Sequence, residues 1–320
     1  MAESRESAKP VDMLNDRDLP ALPATGTVVA MGASVQFIEK VIDTYEKAVQ
    51  ANASTEDRAG NIVELFSTTV DDVMVAGDLH GHRNNFNAIR KIANLAKRPK
   101  RHLVIQEVCH GGPTYPNSGG CMSHTMLEDV AKLKVDFPNR VHFLLSNHEL
   151  AELTDFPIIK NQKMLNLMFR FGMQEMYGAA ADKVRDASLK FIRTCPLALR
   201  LEGGIWISHT IPEKVDSKSF DVRILDEELS DEQLAEGGSA FNFLWGRDFR
   251  QDNADAFASL VESNILINGH EPAEKGFDVP NTRQIILDSH TDDGVYVTIP
   301  LGKKLQQEDI VKRIKHLKRA

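Results

Sequence analysis

The sequence predicts an α/β protein in four layers (α+β in the broad sense): a β-sandwich of two mixed sheets flanked by helices. Three observations predict it. Five short apolar, β-like runs each stop at a residue that metals favour, and helical periodicity fills the intervals between the first three. Later β runs follow one another without helices between them. At 42% hydrophobic and 26% charged, the 320-residue chain has an ordinary globular composition and enough length for a full core. One domain over residues 29–320 is expected, because runs spread from residue 73 to residue 270 have to meet at a single place.

Residues 1–28 are polar and Pro-bearing and read as a flexible tail. Val35, Ile38, Val41, Ile42, Tyr45 and Val49 recur at helical spacing, and a second helix is expected from Thr55 to Phe66. The first run, Val73–Gly77, leads into Asp78-Leu79-His80, and a helix fits His82 to Ala96. The second, Leu103–Gln106, leads into Glu107, and a helix fits Met126 to Lys134. The third, Val141–Ser146, leads into Asn147-His148. This β-helix-β-helix-β order is that of a parallel, right-handed layer. Lys163 to Ile192 reads as helical, with Met164, Met168, Met173 and Met176 as either core or a pliable groove. Leu197–Leu201 and Ile205–Ser208 form a hairpin at Gly203-Gly204, the latter strand ending at His209. Ile265–Gly269 ends at His270, and Gln284–Leu287 with Val295–Ile299 resemble a hairpin around Asp292-Asp293-Gly294. Ile310, Val311, Ile314 and Leu317 stripe a basic C-terminal segment, which predicts a docked amphipathic helix.

A net charge of −8 argues against a DNA or RNA surface, so an anionic substrate has to be attracted locally. Three cysteines without a CxxC imply no disulfide framework, which points to the cytoplasm. The N-terminal residues lack the apolar core of a signal peptide, and no stretch approaches a membrane span.

Strand carboxyl ends in an α/β fold open into one crevice, so the five run ends can converge there. Two carboxylates, three or four imidazoles and a carboxamide make a mixed oxygen and nitrogen set suited to Mn, Fe or Zn.

Gly77-Asp78-Leu79-His80-Gly81 matches the GDxHG motif of the calcineurin-like metallophosphoesterases, and Asn147-His148-Glu149 the end of their GNHE motif. His209 and Gly269-His270 fall where that superfamily places its later histidines. Glu271-Pro272 follows His270 in place of a second histidine, an ending that resembles Ser/Thr phosphoprotein phosphatases and bacterial diadenosine-tetraphosphatase-like relatives. The resemblance covers roughly residues 70–300 and implies a metallophosphoesterase fold with two metal ions. Asp78 and His80 would hold one ion, Asn147, His209 and His270 the other, with Glu107 shared between them. His148 would act as general acid, and no covalent enzyme intermediate is implied.

The second family motif, GDxxDRG, is altered in Gln106-Glu107-Val108-Cys109-His110-Gly111-Gly112. Glu107 stands for the bridging Asp, and His110 for an Asp that orients the general acid. His110 is accordingly an orienting residue or an extra ligand. Gly111 and the Leu145-Ser146 pair replace two phosphate-gripping arginines, which leaves Arg247 and Arg250 as substrate-binding residues. Cys109, His110, Cys121 and His124 offer a rival local reading as a zinc site. The Gly- and Pro-rich stretch 112–123 reads as a loop over the site.

The expected function is metal-dependent hydrolysis of a phosphomonoester, on a phosphorylated protein or another phosphorylated substrate. The alternatives are a diadenosine-tetraphosphatase-type nucleotide hydrolase and, because of the missing arginines, a catalytically weakened metal- and phosphate-binding module.

Overall fold

Helices form wherever apolar residues repeat every three or four positions beside a capping group. In the computed structural model, which describes residues 33–319, α1 spans Val35–Ala53, with the Ser34 hydroxyl accepting the Phe37 N–H. The flexible tail expected over residues 1–28 lies outside the described residues. Strands β1 (Arg58–Ala59), β2 (Ile62–Leu65) and β3 (Asp72–Asp78) follow. The layer then runs α2 (Arg83–Ala93), β4 (Arg101–Gln106), α3 (Ser123–Asp136), β5 (Val141–Leu144) and α4 (Asn147–Thr154). A two-stranded hairpin, β6 (Ile159–Lys160) and β7 (Lys163–Met164), precedes α5 (Leu165–Tyr177) and α6 (Ala181–Arg193). Next come β8 (Ala198–Leu201), β9 (Ile205–Ser208), and the short helices α7 (Asp231–Leu234) and α8 (Ser239–Trp245). The chain continues with α9 (Gln251–Leu260), β10 (Ile265–Asn268), β11 (Phe277–Asp278), β12 (Gln284–Leu287) and β13 (Val295–Pro300). It closes with α10 (Gln307–Val311) and β14 (Lys315–His316).

Among the described residues the strands build two mixed sheets. One has the order β1-β2-β8-β9-β10-β12-β11, the other β14-β13-β3-β4-β5. β3, β4 and β5 are parallel, and β9 is parallel to β10. Their runs are apolar throughout, not alternating, because both faces are buried. Val73, Val75, Val104 and Leu144 meet Leu199, Ile207, Ile267 and Ile285 between the sheets. Residues of the opposite parity meet helices: Phe143 lies 6.0 Å from Phe191 of α6, and Trp206 6.1 Å from Phe257 of α9. The four layers are therefore helix, sheet, sheet, helix, as the sequence predicts.

Three local expectations are corrected. The helix expected over Thr55–Phe66 is instead the β1–β2 hairpin, turning at Gly60 with φ +58. The β-branched Ile62-Val63 pair lies parallel to β8, and that ladder outweighs the helical spacing. β12 and β13 are not a hairpin. β12 pairs with β10 and β11 in one sheet, whereas β13 pairs antiparallel with β3 in the other. Leu287 and Val295 are both buried between the sheets, so the segment joining them crosses the sandwich. The C-terminal helix is a single short turn, α10. β14 then pairs with the β13 edge, giving its backbone groups partners that a helix could not supply. The apolar stripe still docks, with Ile310 and Leu317 buried. Of the four methionines, Met173 joins the core and Met164 is exposed. No described helix is long and apolar enough to cross a membrane.

Ile285→Ala removes a fully buried side chain between the sheets. It should lower unfolding free energy by about 2–5 kcal/mol, seen as a lower denaturant midpoint at unchanged slope. A loss below about 1 kcal/mol would mean that the sheets do not pack there.

Candidate active site at the strand carboxyl ends

The five run ends converge. Asp78 closes β3, and Glu107 follows β4. Asn147 opens α4 directly after β5, and His209 and His270 follow β9 and β10. Chain reversal at these ends places His80, Glu107 and His270 in the left-handed region, at φ +40, +46 and +71. Such non-glycine conformations cost on the order of 1–3 kcal/mol each and persist only where surroundings enforce them. Here the Leu79 and His80 amides both donate to the Glu107 carbonyl at 2.9 Å. The His270 amide donates to Asp78 Oδ2 at 2.7 Å. Gly269 cannot be replaced without disturbance, since a Cβ there would lie 2.1 Å from Asp78 Oδ1.

Glu107 sits between two clusters. Its Oε2 lies 3.5 Å from His80 Nε2, and its Oε1 3.6 Å from His148 Nε2 and 3.6 Å from His209 Nε2. His80, Glu107 and His148 form one potential metal-holding group and Glu107, His209 and His270 a second. Asn147 Oδ1 is 2.7 Å from His209 Nε2 and 3.1 Å from His270 Nδ1. Neither group includes Cys109, Cys121 or His124. The His124 ring is taken by Tyr115 and Glu128, so the rival zinc reading is not supported.

Neighbouring acceptors set the imidazole tautomers. Gln106 Oε1 lies 3.1 Å from His209 Nδ1 and is placed to accept its hydrogen, the tautomer that leaves Nε2 bare toward Glu107 and Asn147. The carbonyls of Cys109 and His110 lie 3.2 and 3.1 Å from His80 Nδ1, leaving its Nε2 bare toward Glu107. Burial pushes Asp78 up to about 7. Burial, then the Asp78 charge, pushes Glu107 well above the usual carboxylate range. Burial also holds His80 down to about 4 and His270 to about 3, with His148 and His209 well below normal. Neutral imidazoles with a nitrogen lone pair facing two crowded carboxylates are what a cation requires. Asp78 Oδ1 and His270 Nε2 are buried without a hydrogen-bond partner, so the donor set fits a metal pair.

The remaining expected residues fall differently. His110 has both ring nitrogens engaged, Nδ1 with His148 Nδ1 and Nε2 with Glu152 Oε1, each at 2.8 Å. This geometry favours orienting over ligation. Arg247 is half exposed, pairs with Glu271, and its charge depresses His270. Arg250 spends four of its five guanidinium hydrogens on Asp216 and Asp248 and remains exposed.

Several neighbours carried no motif. Gln106 gave no signal beyond ending a strand. Glu149 accepts the Val108 and Cys109 amides at 3.0 and 2.8 Å, tying the Glu107 loop to α4. Asp288 accepts from the His290 ring at 2.5 Å and from the Ala273 amide at 3.0 Å beside Asp78. Lys160 lines a cavity of about 240 Å³ with His80, His82, His148 and His290.

No family model matches the chain, and no curated protein sequence matches it. Among solved structures it is similar to a protein serine/threonine phosphatase from Saccharomyces cerevisiae, itself described as similar to human phosphatase PP5. That likeness has a TM-score of 0.64 at 14% identity, over 87% of this chain and 88% of the other. It is also similar to a cold-active protein-tyrosine phosphatase of a psychrophilic Shewanella species, with a TM-score of 0.54 at 13% identity. The coverage there is 78% of this chain and 79% of the other. At these identities the likeness concerns the fold, which is phosphatase-like.

A raised Asp78 pKa means that the metal-free folded state holds that proton more tightly than the unfolded chain. Its contribution is present at low pH and lost as pH rises through about 7. In chelator, Asp78→Asn should therefore melt above wild type at about pH 8, the gap closing toward about pH 4. Saturating Mn should reverse the order, because only wild type keeps the full ligand set. Calorimetry across pH checks both, and a gap independent of pH would refute the assignment.

Proposed function

We propose that the chain is a metal-dependent phosphoesterase that hydrolyses a phosphomonoester, with a phosphorylated protein as the first substrate class to try. The observation that carries this reading is Glu107, one buried carboxylate facing both donor groups. Asp78, His80 and Glu107 would hold one ion, and Glu107, Asn147, His209 and His270 the second. A metal pair, when bound, supplies a hydroxide at neutral pH and neutralises phosphoryl charge.

The remaining steps belong to the protein. His148 faces the shared carboxylate from the first turn of α4 and donates an Nε2 proton to the leaving oxygen. Arg247 and Lys160 flank the site and orient the phosphoryl group in place of the absent arginines. The cavity beside the site is lined by His80, His110, His148 and His290, with Lys160 on the side where the rest of the substrate would lie.

With Mn present, the purified protein should hydrolyse an aryl phosphate, and Asn147→Ala should abolish the activity. His148→Gln should lower kcat by about 10²–10⁴-fold. Arg247→Ala and Lys160→Ala should chiefly raise KM, by roughly tenfold or more, each losing about 1.5–3 kcal/mol of charge-assisted binding. Metal binding without turnover of aryl phosphate, phosphopeptide or dinucleotide polyphosphate would leave the binding-module reading in its place. Turnover of the dinucleotide alone would favour the nucleotide hydrolase.

A further inference from the structure

We propose that Glu152 is a positioning residue for His148, acting through His110, so that a Glu152–His110–His148 chain presents the His148 Nε2 proton to the leaving group. This rests on the proposed function, in which His148 is the general acid.

His148 and Glu152 stand four residues apart on α4, on one face one turn apart. The His110 ring, arriving from the loop after β4, is wedged between them at 2.8 Å from each. Glu152 is 1% exposed and His110 2% exposed, so water does not compete for these bonds. An ionised carboxylate only accepts, so His110 Nε2 carries the hydrogen, and in the neutral ring Nδ1 then has a lone pair. That lone pair can only be met by an Nδ1–H on His148. The His148 Nε2 is then the atom turned toward Glu107, 3.6 Å away.

The same bond serves both states of His148. Once Nε2 has taken a proton from water, the imidazolium keeps Nδ1–H on His110 and gives up the Nε2 proton. The phosphorus–oxygen bond breaks with its electron pair on the oxygen that takes that proton. Neutral His148 remains in the Nδ1–H form with no bond rearranged, and no proton passes to His110 or Glu152.

His110 has little freedom to do anything else. Its amide donates to Ser123 Oγ at 3.1 Å, Phe169 packs edge-on at 5.7 Å, and its φ is +64. Arg185 approaches Glu152 Oε2 at 3.8 Å and fixes the helix end by donating to the Glu152 carbonyl at 3.0 Å. Without Glu152, nothing prevents His110 from turning an Nδ1–H toward His148, which would oppose the imidazolium.

The test uses the full chain loaded with Mn and aryl phosphates whose leaving groups differ in acidity. Glu152→Leu should lower kcat about 10–100-fold for poor leaving groups, with much less effect on good ones and on KM. Adding His110→Asp to that variant should restore kcat. The Asp oxygen occupies the place of His110 Nδ1 and accepts the His148 Nδ1–H directly. Equal losses across all leaving groups, or no loss, would overturn the inference. Histidine nitrogen NMR on metal-free wild type at neutral pH gives a readout without turnover, His148 being identified by comparison with His148→Gln. The Nδ1–H tautomer supports the chain, and the Nε2–H tautomer overturns it. Inactive wild type with the Nδ1–H tautomer would sink the proposed function while leaving the Glu152 arrangement in place.

Discussion

The structure around the site depends on burying two carboxylates, Asp78 and Glu107, side by side. Each is nearly inaccessible to solvent, and among the described residues neither forms an ion pair with an Arg or Lys. Buried charge without a partner is expensive enough that such groups change protonation or acquire a cation. The surrounding chain makes the second outcome ready. Four imidazoles are kept neutral by burial, and two of them have their outer nitrogens engaged by fixed acceptors. Backbone amides and carbonyls then fix the loops at φ values that side chains seldom adopt. The two sheets matter to function because their strands deliver these ends to within a few ångström of one another.

α4 is the second organising element. Its first residue supplies the Asn147 carbonyl oxygen and its second the His148 ring. Glu149 binds the loop that carries Glu107, and Glu152 reaches His110 one turn later. These four residues lie on two helical turns, so the spacing between Asn147, His148 and the supports of Glu107 and His110 is set by a rigid element and not by a loop. Ser146, buried just before the helix, hydrogen-bonds Glu149 and ties the helix start to the end of β5.

Much of this was legible in the sequence, and the residues show why. β3, β4, β5, β9 and β10 are buried on both faces, so their sequences are unbroken apolar runs, and their ends are marked by polar residues that a core would not tolerate. The parallel layer followed from helical spacing between runs. Legibility failed where tertiary pairing decides the outcome. Ile62–Leu65 has apolar residues that fit either period, and only β8 alongside selects a strand. Leu287 and Val295 are close in sequence but belong to facing sheets, which no turn motif encodes. Gln106 and Asp288 stayed invisible because a buried polar residue next to a strand end reads the same whether it orients a ligand or satisfies a backbone group. Glu152 was nearer to being readable, since its spacing from His148 places it on the same helix face.

The missing arginine after His110 has a physical cause in this chain. Gly111 has φ +134, and a Cβ there would lie 2.6 Å from the His80 carbonyl oxygen. At Gly112, with φ +70, a Cβ would lie 2.4 Å from the Gly81 carbonyl oxygen. The loop after Glu107 is thus pressed against the loop after Asp78, and no side chain of any kind fits between them. The close approach lies beside the left-handed turns at His80, Glu107 and His110. An arginine at position 111 and this packing exclude one another. Under the proposed function, positive charge for an anionic substrate would have to come from elsewhere on the rim, where Lys160 of the β6–β7 hairpin and Arg247 beyond α8 stand. Both are exposed on long side chains, so their hold on a phosphoryl group would be softer than that of the buried donor set beneath them.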